Sequence, residues 1–128
     1  MIADDAVTSA KLDTNIAVTG TVSDSKGNLR KIPNNNQSSA YTLVASDAGK
    51  YIWAANNVTI PNNVFSTGDA VTIVSDSASD ISIINSLAVL YMSSDGTSTS
   101  TRTLAKYGMA TILFVGPTAG YISGAGLS

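Results

Sequence analysis

The stretch "AVTIVSDSASDISIIN", residues 70–85, decides the fold class of this chain. Its two ends are short apolar runs rich in Val and Ile, and its centre is the turn-forming tetrapeptide Asp-Ser-Ala-Ser at 76–79. β-Branched residues favour strands, whereas Asp and Ser favour turns because their side chains hydrogen-bond the nearby backbone. The stretch therefore predicts two strands joined as a hairpin.

The same rhythm of short apolar runs and turn clusters continues from Tyr41 to the C-terminus. The runs are YTLVA 41–45, KYIWA 50–54, NVTI 57–60, VF 64–65, AVTIVS 70–75, DISIIN 80–85, LAVLYM 87–92, RTLAKYG 102–108, MATILFVG 109–116 and YISGAGL 121–127. No interval between them is long enough for a crossover helix, and the sequence shows no internal repeat. We therefore predict an all-β fold, a small antiparallel β-sandwich with a jelly-roll-like or barrel-like arrangement.

The composition of the chain excludes several classes of function. The 128 residues carry a net charge of −2 and only 12% are charged, so no basic stripe is present to bind nucleic acid. His and Cys are both absent, which removes the commonest general base and all cysteine chemistry. No apolar run approaches the length of a membrane span. We expect one domain plus an appendage, with neither nucleic-acid binding nor membrane insertion.

Residues 1–18 form a polar lead that carries a narrow apolar stripe. Its apolar residues recur at three- and four-residue spacing, as on one face of a helix, but several β-branched residues disfavour a helix. The helical and the extended alternatives therefore both stand. Because so short a segment cannot bury its own stripe, we expect it to dock on a partner or to form the oligomer contact. The residues predicted to carry this docking are Ala3, Ala6, Val7, Ala10, Leu12 and Ile16.

Residues 19–40 separate this lead from the β module. They are polar and contain a Ser-Lys-Gly-Asn turn at 25–28 and a Pro-Asn-Asn-Asn break at 33–36. This composition predicts a linker or a short hairpin. The β module itself is expected to span residues 41–128.

Two runs, Leu87–Met92 and Ala110–Val115, are apolar at successive positions instead of alternating with polar residues. A strand has this pattern when both of its faces are covered. One face of each strand in a single small sandwich normally meets water. The second face is therefore expected to be covered either by another chain or by loops and the N-terminal segment of the same chain.

The sequence offers little for catalysis or metal binding. A Ser or Thr nucleophile needs a base, and without His only Lys or Asp remains. The acidic residues beyond residue 40 all lie in predicted turns, where Asp is common for local hydrogen-bonding reasons: Asp47, Asp69, Asp76, Asp80 and Asp95. Asp76 and Asp80 offer a weak calcium site at most, since the EF-hand spacing is absent. We predict a protein that is not an enzyme and has no cofactor.

Aromatic residues are the candidates for recognition of a ligand, because exposed rings supply large contact areas. Trp53 lies within a predicted strand, while Tyr107 and Tyr121 lie beside glycines near turns. Asp95 lies in the polar loop 93–101. The candidate ligand-contact residues are therefore Trp53, Tyr107, Tyr121 and Asp95.

The order and spacing of several short motifs resemble a β module that recurs in virion proteins of tailed bacteriophages. The matching order is YTLVASDAGKYI from residue 41, VTIP at 58–61, FSTGDAVTIVSDSASDISI from 65, RTLAKYGMATILFVG from 102 and YISGAGLS from 121. The resemblance covers about residues 41–127. The lead IADDAVTSAKLDTNI at 2–16 separately resembles the Asp-x-Ala-Val-Thr-x-x-Lys-Leu segments that link modules in phage fibres.

The resemblance implies a non-enzymatic structural protein on the surface of a phage particle, docked by its N-terminal segment. Such proteins are typically homotrimers, so the implied partners are copies of the chain and other virion proteins. Fibres of this style are usually long, with this module near the end, whereas here it follows the first methionine closely. Tail fibre, head fibre and capsid decoration protein all stay open. The alternative is a receptor-binding tip that recognises a host cell-surface glycan.

Overall fold

The computed structural model describes Thr14, residues 16–93 and residues 100–128. The chain divides into two compact units, the first ending at Lys31 and the second running from Ile32 to Ser128. The second unit thus begins inside the segment predicted as a linker, nine residues before the expected start at Tyr41. Within the described residues, no helix is long and apolar enough to cross a membrane.

Among its described residues, the first unit contains one short hairpin, formed by β1 (Ser23–Asp24) and β2 (Gly27–Asn28). Its turn falls on the predicted Ser-Lys-Gly-Asn tetrapeptide, and the positive φ of Gly27 is a conformation that glycine adopts without steric cost. From residue 16 to residue 31, every side chain is exposed except that of Asn28, which is half-buried. The described residues of this unit therefore bury no apolar core, and a lone two-stranded hairpin is marginal in water.

The described residues of the second unit form nine strands and one short 3-10 turn at Ala45–Asp47. The strands are β3 (Asn34–Gln37), β4 (Tyr41–Thr42), β5 (Tyr51–Ala54), β6 (Val58–Ile60), β7 (Ala70–Ser75), β8 (Ile81–Asn85), β9 (Val89–Tyr91), β10 (Arg102–Gly116) and β11 (Ala119–Leu127). The two C-terminal runs predicted before and after Gly108 join as the single 15-residue strand β10.

The first six of these strands form two stacks of parallel pairs. The first stack is β3–β5–β7 and the second stack is β4–β6–β8, so the chain alternates between the stacks as it advances. Asn34 pairs with Tyr51 and Tyr41 pairs with Val58, which is a separation of 17 residues in both stacks. The connection between two parallel neighbours therefore includes a strand of the opposite stack.

The long strand β10 joins the two stacks at one end. Its residues 109–113 pair antiparallel with β7, and its residues 102–104 pair antiparallel with β8. β11 folds back along β10, and β9 pairs in parallel with β11. β3 and β4 are the two edge strands of the resulting barrel-like, nearly closed sheet, and each lies at the end of its stack away from β10. The prediction of an all-β fold is confirmed.

The strand pairing differs from the prediction in two respects. The hairpin predicted over residues 70–85 is wrong, because β7 and β8 lie in different stacks with β10 between them. The sheet is also mixed instead of wholly antiparallel, because a strand of the opposite stack replaces the crossover helix that parallel neighbours usually need. Val64 and Phe65, predicted as a strand, lie in the loop between β6 and β7.

Alternate residues of the strands fill the interior. Along β7, for example, Val71 and Ile73 are fully buried, whereas Thr72 and Val74 are half-buried on the other side of the sheet. The buried core consists of Leu43, Ile52, Ala54, Val58, Ile60, Phe65, Val71, Ile73, Ile81, Ile83, Leu87, Leu90, Met92, Leu104, Ala110, Ile112, Phe114 and Ile122. The second unit thus has its own hydrophobic core, and the side chains on the other side of its strands face outward.

Candidate interaction surface

The outward side of the first stack and of β10, β11 and β9 is the principal candidate site, and we call it the outer face. Its residues are Tyr51, Trp53, Thr72, Val74, Tyr91, Met109, Thr111, Leu113 and Tyr121, none of which is charged. Large apolar side chains stay open to solvent here, with exposed fractions of 40% for Trp53, 53% for Met109 and 46% for Leu113. Contiguous apolar surface of this kind marks an interaction site more often than isolated exposed residues do.

Strand register places the apolar residues of the outer face side by side. Trp53 pairs with Val74 across β5 and β7, and Val74 pairs with Met109 across β7 and β10. Directly paired side chains in a sheet lie about 4.5–5.5 Å apart at Cβ. These three residues therefore form one continuous apolar row that crosses three strands.

Two shallow depressions lie on the outer face on either side of a pair of threonines. The hydroxyl groups of Thr72 and Thr111 are 2.8 Å apart and hydrogen-bonded. One depression, of about 350 Å³, is lined by Ile32, Tyr51, Thr72, Val74, Met109 and Thr111. The other, of about 280 Å³, is lined by Tyr91, Ser93, Thr111, Leu113, Tyr121, Ile122 and Ser123. The first is mostly apolar, whereas the second combines aromatic rings with hydroxyl groups.

Tyr91 and Tyr121 form the aromatic wall of the second depression. They are paired in register between β9 and β11, and their ring centroids lie 5.0 Å apart at an interplanar angle of 37°. Both rings are about half exposed. The parallel register between the two strands brings Tyr91 beside Tyr121, which the sequence analysis selected as a ligand-contact candidate.

The structure separates the remaining ligand-contact candidates. Trp53 and Tyr121 both lie on the outer face, but the residues of β10 nearest to each, Met109 and Leu113, are four positions apart. Tyr107 lies in the part of β10 between its two paired regions, with a positive φ of 60° and 73% of its side chain exposed. Asp95 lies outside the described residues.

Of the residues predicted to dock the N-terminal segment, only one is described. Ile16 belongs to the first unit and its side chain is 58% exposed. The others, Ala3, Ala6, Val7, Ala10 and Leu12, lie outside the described residues.

The two uninterrupted apolar runs alternate between the core and the outside. Ala110, Ile112 and Phe114 are buried, while Leu113 and Val115 between and beyond them are exposed. In the other run, Leu87, Leu90 and Met92 are buried, while Tyr91 is 41% exposed. The described residues of the chain therefore leave the second face of both runs open to solvent.

The acidic residues serve local structure. Asp47 is completely buried, and its carboxylate accepts hydrogen bonds from the Tyr41 hydroxyl at 2.8 Å, Asn35 Nδ2 at 2.8 Å and the Val44 backbone N–H at 2.9 Å. Burial and the hydrogen bond with Asp47 raise the pKa of the Tyr41 hydroxyl above its ordinary value of 10.0. Sequence analysis missed this cluster, because a turn Asp is usually exposed and only the fold encloses this one.

Asp76 and Asp80, which the sequence offers as a weak calcium site at most, lie at the two ends of the loop between β7 and β8. One carboxylate oxygen of Asp80 accepts a hydrogen bond from the Lys106 backbone N–H at 3.1 Å. The Asp76 backbone N–H donates to the Ala54 carbonyl at 2.8 Å. Over the described residues, no group of three His, Cys, Asp or Glu side chains is positioned to hold a metal ion.

No family model, curated protein sequence or solved structure matches this chain.

Proposed function

We propose that this chain is a non-enzymatic structural module that associates with copies of itself through the outer face. The single observation that carries the proposal is the row formed by Trp53, Val74 and Met109, which is apolar and continuous across three strands, with Trp53 and Met109 exposed and Val74 half-buried. Removing such a row from water is favourable by roughly 25 cal/mol for each Å² buried. A homotrimer is the assembly expected from the sequence resemblance.

Copies of the chain are chemically suited to this surface. The outer face has no charged side chain, so the approach of two such faces brings no like charges together and leaves no charge unpaired. The first unit also exposes Ile16, Val18, Val22 and Leu29, although it buries no core among its described residues. A unit of this kind gains from packing against another surface, which supports its expected role in docking.

Within this class, we assign the chain to the virion of a tailed bacteriophage, as a tail fibre, head fibre or capsid decoration protein displayed on the particle surface. The order of motifs from residue 41 to residue 127 and the linker-like lead at 2–16 support this assignment. An antibody raised against the chain should label purified phage particles in immunogold electron microscopy. Particles that contain the chain by mass spectrometry yet bind no antibody on their surface would contradict surface display.

The self-association is tested by light scattering on the native chain and on Met109→Lys. We expect an oligomer for the native chain and a shift towards one copy for the variant, because the lysine places a charge in the middle of the apolar row. Ile84→Lys is the matched control, since Ile84 is a similarly exposed apolar strand residue of the second stack. Circular dichroism establishes that both variants fold. A monomeric native chain contradicts the proposal.

A second candidate function is recognition of a host cell-surface glycan, which the Tyr91–Tyr121 pair favours. Aromatic rings beside the hydroxyl groups of Ser93, Thr111 and Ser123 offer stacking and hydrogen bonding in one depression. Titration of the chain with host polysaccharide should then quench tyrosine fluorescence, and Tyr121→Ala should abolish the response while Tyr107→Ala keeps it. A response in Trp53 fluorescence alone, or none at all, argues against this site.

A further inference from the structure

We propose that the free edge of β3 pairs with residues 16–20 of a second copy, which adds one parallel strand to the first stack. β3 uses one edge for β5, where Tyr51 N donates to the Pro33 carbonyl at 3.0 Å and Ala55 N donates to the Gln37 carbonyl at 2.9 Å. Because backbone groups alternate in direction along a strand, the N–H and C=O groups of Asn34 and Asn36 point to the other edge. No described strand pairs with that edge.

Residues 16–20, Ile-Ala-Val-Thr-Gly, have the properties of the missing strand. We call this segment the donor and the free edge of β3 the acceptor. The donor residues belong to no helix or strand, and they make no hydrogen bond with the other described residues of the first unit. Ile16 and Val18 are β-branched residues at alternate positions, and their side chains are 58% and 53% exposed. An unpaired sheet edge and an unpaired strand-like segment are the two components of strand addition, in which main-chain hydrogen bonds supply the affinity.

Side-chain alternation selects the register of this pairing. Pro33, Asn35 and Gln37 are half-buried, whereas Asn34 and Asn36 are exposed. With Ala17 opposite Asn34 and Gly20 opposite Gln37, Ile16 and Val18 lie on the half-buried side, and four residues of the donor match the four residues of β3. Val18 then lies opposite Asn35, whose side chain is half-buried at the end of the core.

The donor is assigned to a second copy because the residues that follow it do not continue the winding. In the second unit, β3 and β5 of the first stack are each followed along the chain by a strand of the second stack, β4 and β6 respectively. Here the next residues, 23–28, pair with each other as the hairpin β1–β2. Every copy then carries one donor and one acceptor, a head-to-tail arrangement that forms a ring where the rotation between copies closes and a filament where it does not. The inference rests on the proposed self-association in requiring a second copy, but it uses no residue of the outer face.

Disulfide cross-linking tests this pairing, since the native chain has no cysteine. Thr19→Cys and Asn36→Cys are prepared as separate full-length variants with different tags, and they are then mixed and oxidised. Neighbouring strands lie about 4.8 Å apart, which is within the range of Cα separations that a disulfide spans. We expect a disulfide between the two differently tagged chains. The matched control replaces Asn36→Cys by Asn62→Cys, at an exposed asparagine in the loop after β6, and should give none.

The outcome separates this inference from the proposed function. A native oligomer whose mixed variants form no specific cross-link overturns the strand addition and leaves association through the outer face standing. A monomeric native chain overturns the self-association itself. Cross-linking that is equally efficient with Asn62→Cys reflects random collision and also overturns the strand addition.

A proline substitution provides the second test. Asn36→Pro removes an N–H that points to the free edge, and proline is tolerated on edge strands, so the chain should still fold. We expect loss of the cross-link between a chain carrying Ala17→Cys and one carrying Asn34→Cys together with Asn36→Pro. Asn36→Ala in the same position keeps the N–H and should retain the cross-link. Equal cross-linking in both backgrounds would falsify pairing through this edge.

Discussion

The two ends of the barrel-like sheet are built from different chemistry. At the end formed by β10 and β11, one long hairpin pairs with both stacks and apolar residues fill the space beneath it. At the end formed by β3 and β4, the edges are unpaired among the described strands, and the side chains beneath them are amides, a phenol and a carboxylate. The closed end is suited to stability, whereas the open end keeps backbone groups available for pairing.

One column of paired residues shows where the change occurs. From the open end it runs Asn35, Ile52, Ile73 and Ala110, so a single step between neighbouring strands replaces an amide by a buried aliphatic side chain. The Asn35 amide is hydrogen-bonded on both sides: its Nδ2 donates to Asp47 at 2.8 Å, and its oxygen accepts from Gln37 Nε2 at 2.7 Å. A polar layer that satisfies its own hydrogen bonds covers the core without requiring further apolar burial.

The largest expected effect lies at the closed end. Phe114 is completely buried and stacks on Phe65 with ring centroids 4.2 Å apart. Phe114→Ala should lower the free energy of unfolding by about 3–5 kcal/mol, because it removes this burial and leaves a cavity. Leu113→Ala, at the neighbouring exposed position, should cost less than about 1 kcal/mol. Urea unfolding followed by circular dichroism measures both, and equal losses would show that the two sides of β10 are not distinct.

A smaller effect is expected where β10 and β11 pack most closely. A Cβ atom on Gly124 would contact the Met109 carbonyl and the Ala110 Cα atom, both of which belong to the backbone and cannot rotate away. Gly124→Ala should therefore destabilise the chain by about 1–3 kcal/mol through overpacking. Gly116→Ala is the control, since nothing lies within 4 Å of a Cβ atom there. Thermal unfolding of the two variants should differ, and a neutral Gly124→Ala would mean that the hairpin spacing adjusts.

The all-β fold class could be predicted because it depends on local properties. Short Val- and Ile-rich runs and turn residues identify most of the strands, as in Ala70–Ser75 and Ile81–Asn85. The pairing of those strands could not be predicted, because turn chemistry between β7 and β8 does not reveal that β10, from a later part of the chain, lies between them. The two separations of 17 residues between parallel partners leave no repeat in the amino-acid sequence, because a strand needs only side chains that alternate between the two faces of the sheet.

The candidate site was partly predictable for the same reason. Trp53 and Tyr121 stand out by their residue type, and the second faces of Leu87–Met92 and Ala110–Val115 stand out by their lack of polar residues. Met109 and Tyr91 acquire their importance from register alone, through Val74 and Tyr121. Asp47 is identified by burial, a property that depends on which strands cover its turn.

At the open end, the largest effect should come from Asp47. Its two carboxylate oxygens accept three hydrogen bonds, and an amide in the same place offers one acceptor oxygen and turns an N–H₂ group towards a donor. Asp47→Asn should lower the free energy of unfolding by about 1–3 kcal/mol. Asp69→Asn is the control, because Asp69 is half-buried and accepts one hydrogen bond, from the Ser66 backbone N–H at 2.9 Å. If the two variants lose the same free energy of unfolding, the buried Asp47 cluster contributes no more to stability than an ordinary turn carboxylate does.

The smallest effect concerns Tyr41, whose hydroxyl donates to Asp47 and accepts from Asn35. Tyr41→Phe should cost about 1 kcal/mol at neutral pH. Burial and the Asp47 hydrogen bond raise the pKa of Tyr41 in the folded chain above its unfolded value of 10.0, so the folded state keeps its proton longer. The stability that Tyr41 contributes is therefore fully present below pH 10 and is lost as the pH rises from there through the folded pKa.

Urea unfolding between pH 8 and pH 11 should show a steeper loss of stability for the native chain than for Tyr41→Phe. Tyr107→Phe, at the most exposed tyrosine, should keep the native slope. Parallel curves for all three chains would mean that the polar layer at the open end does not hold the Tyr41 proton.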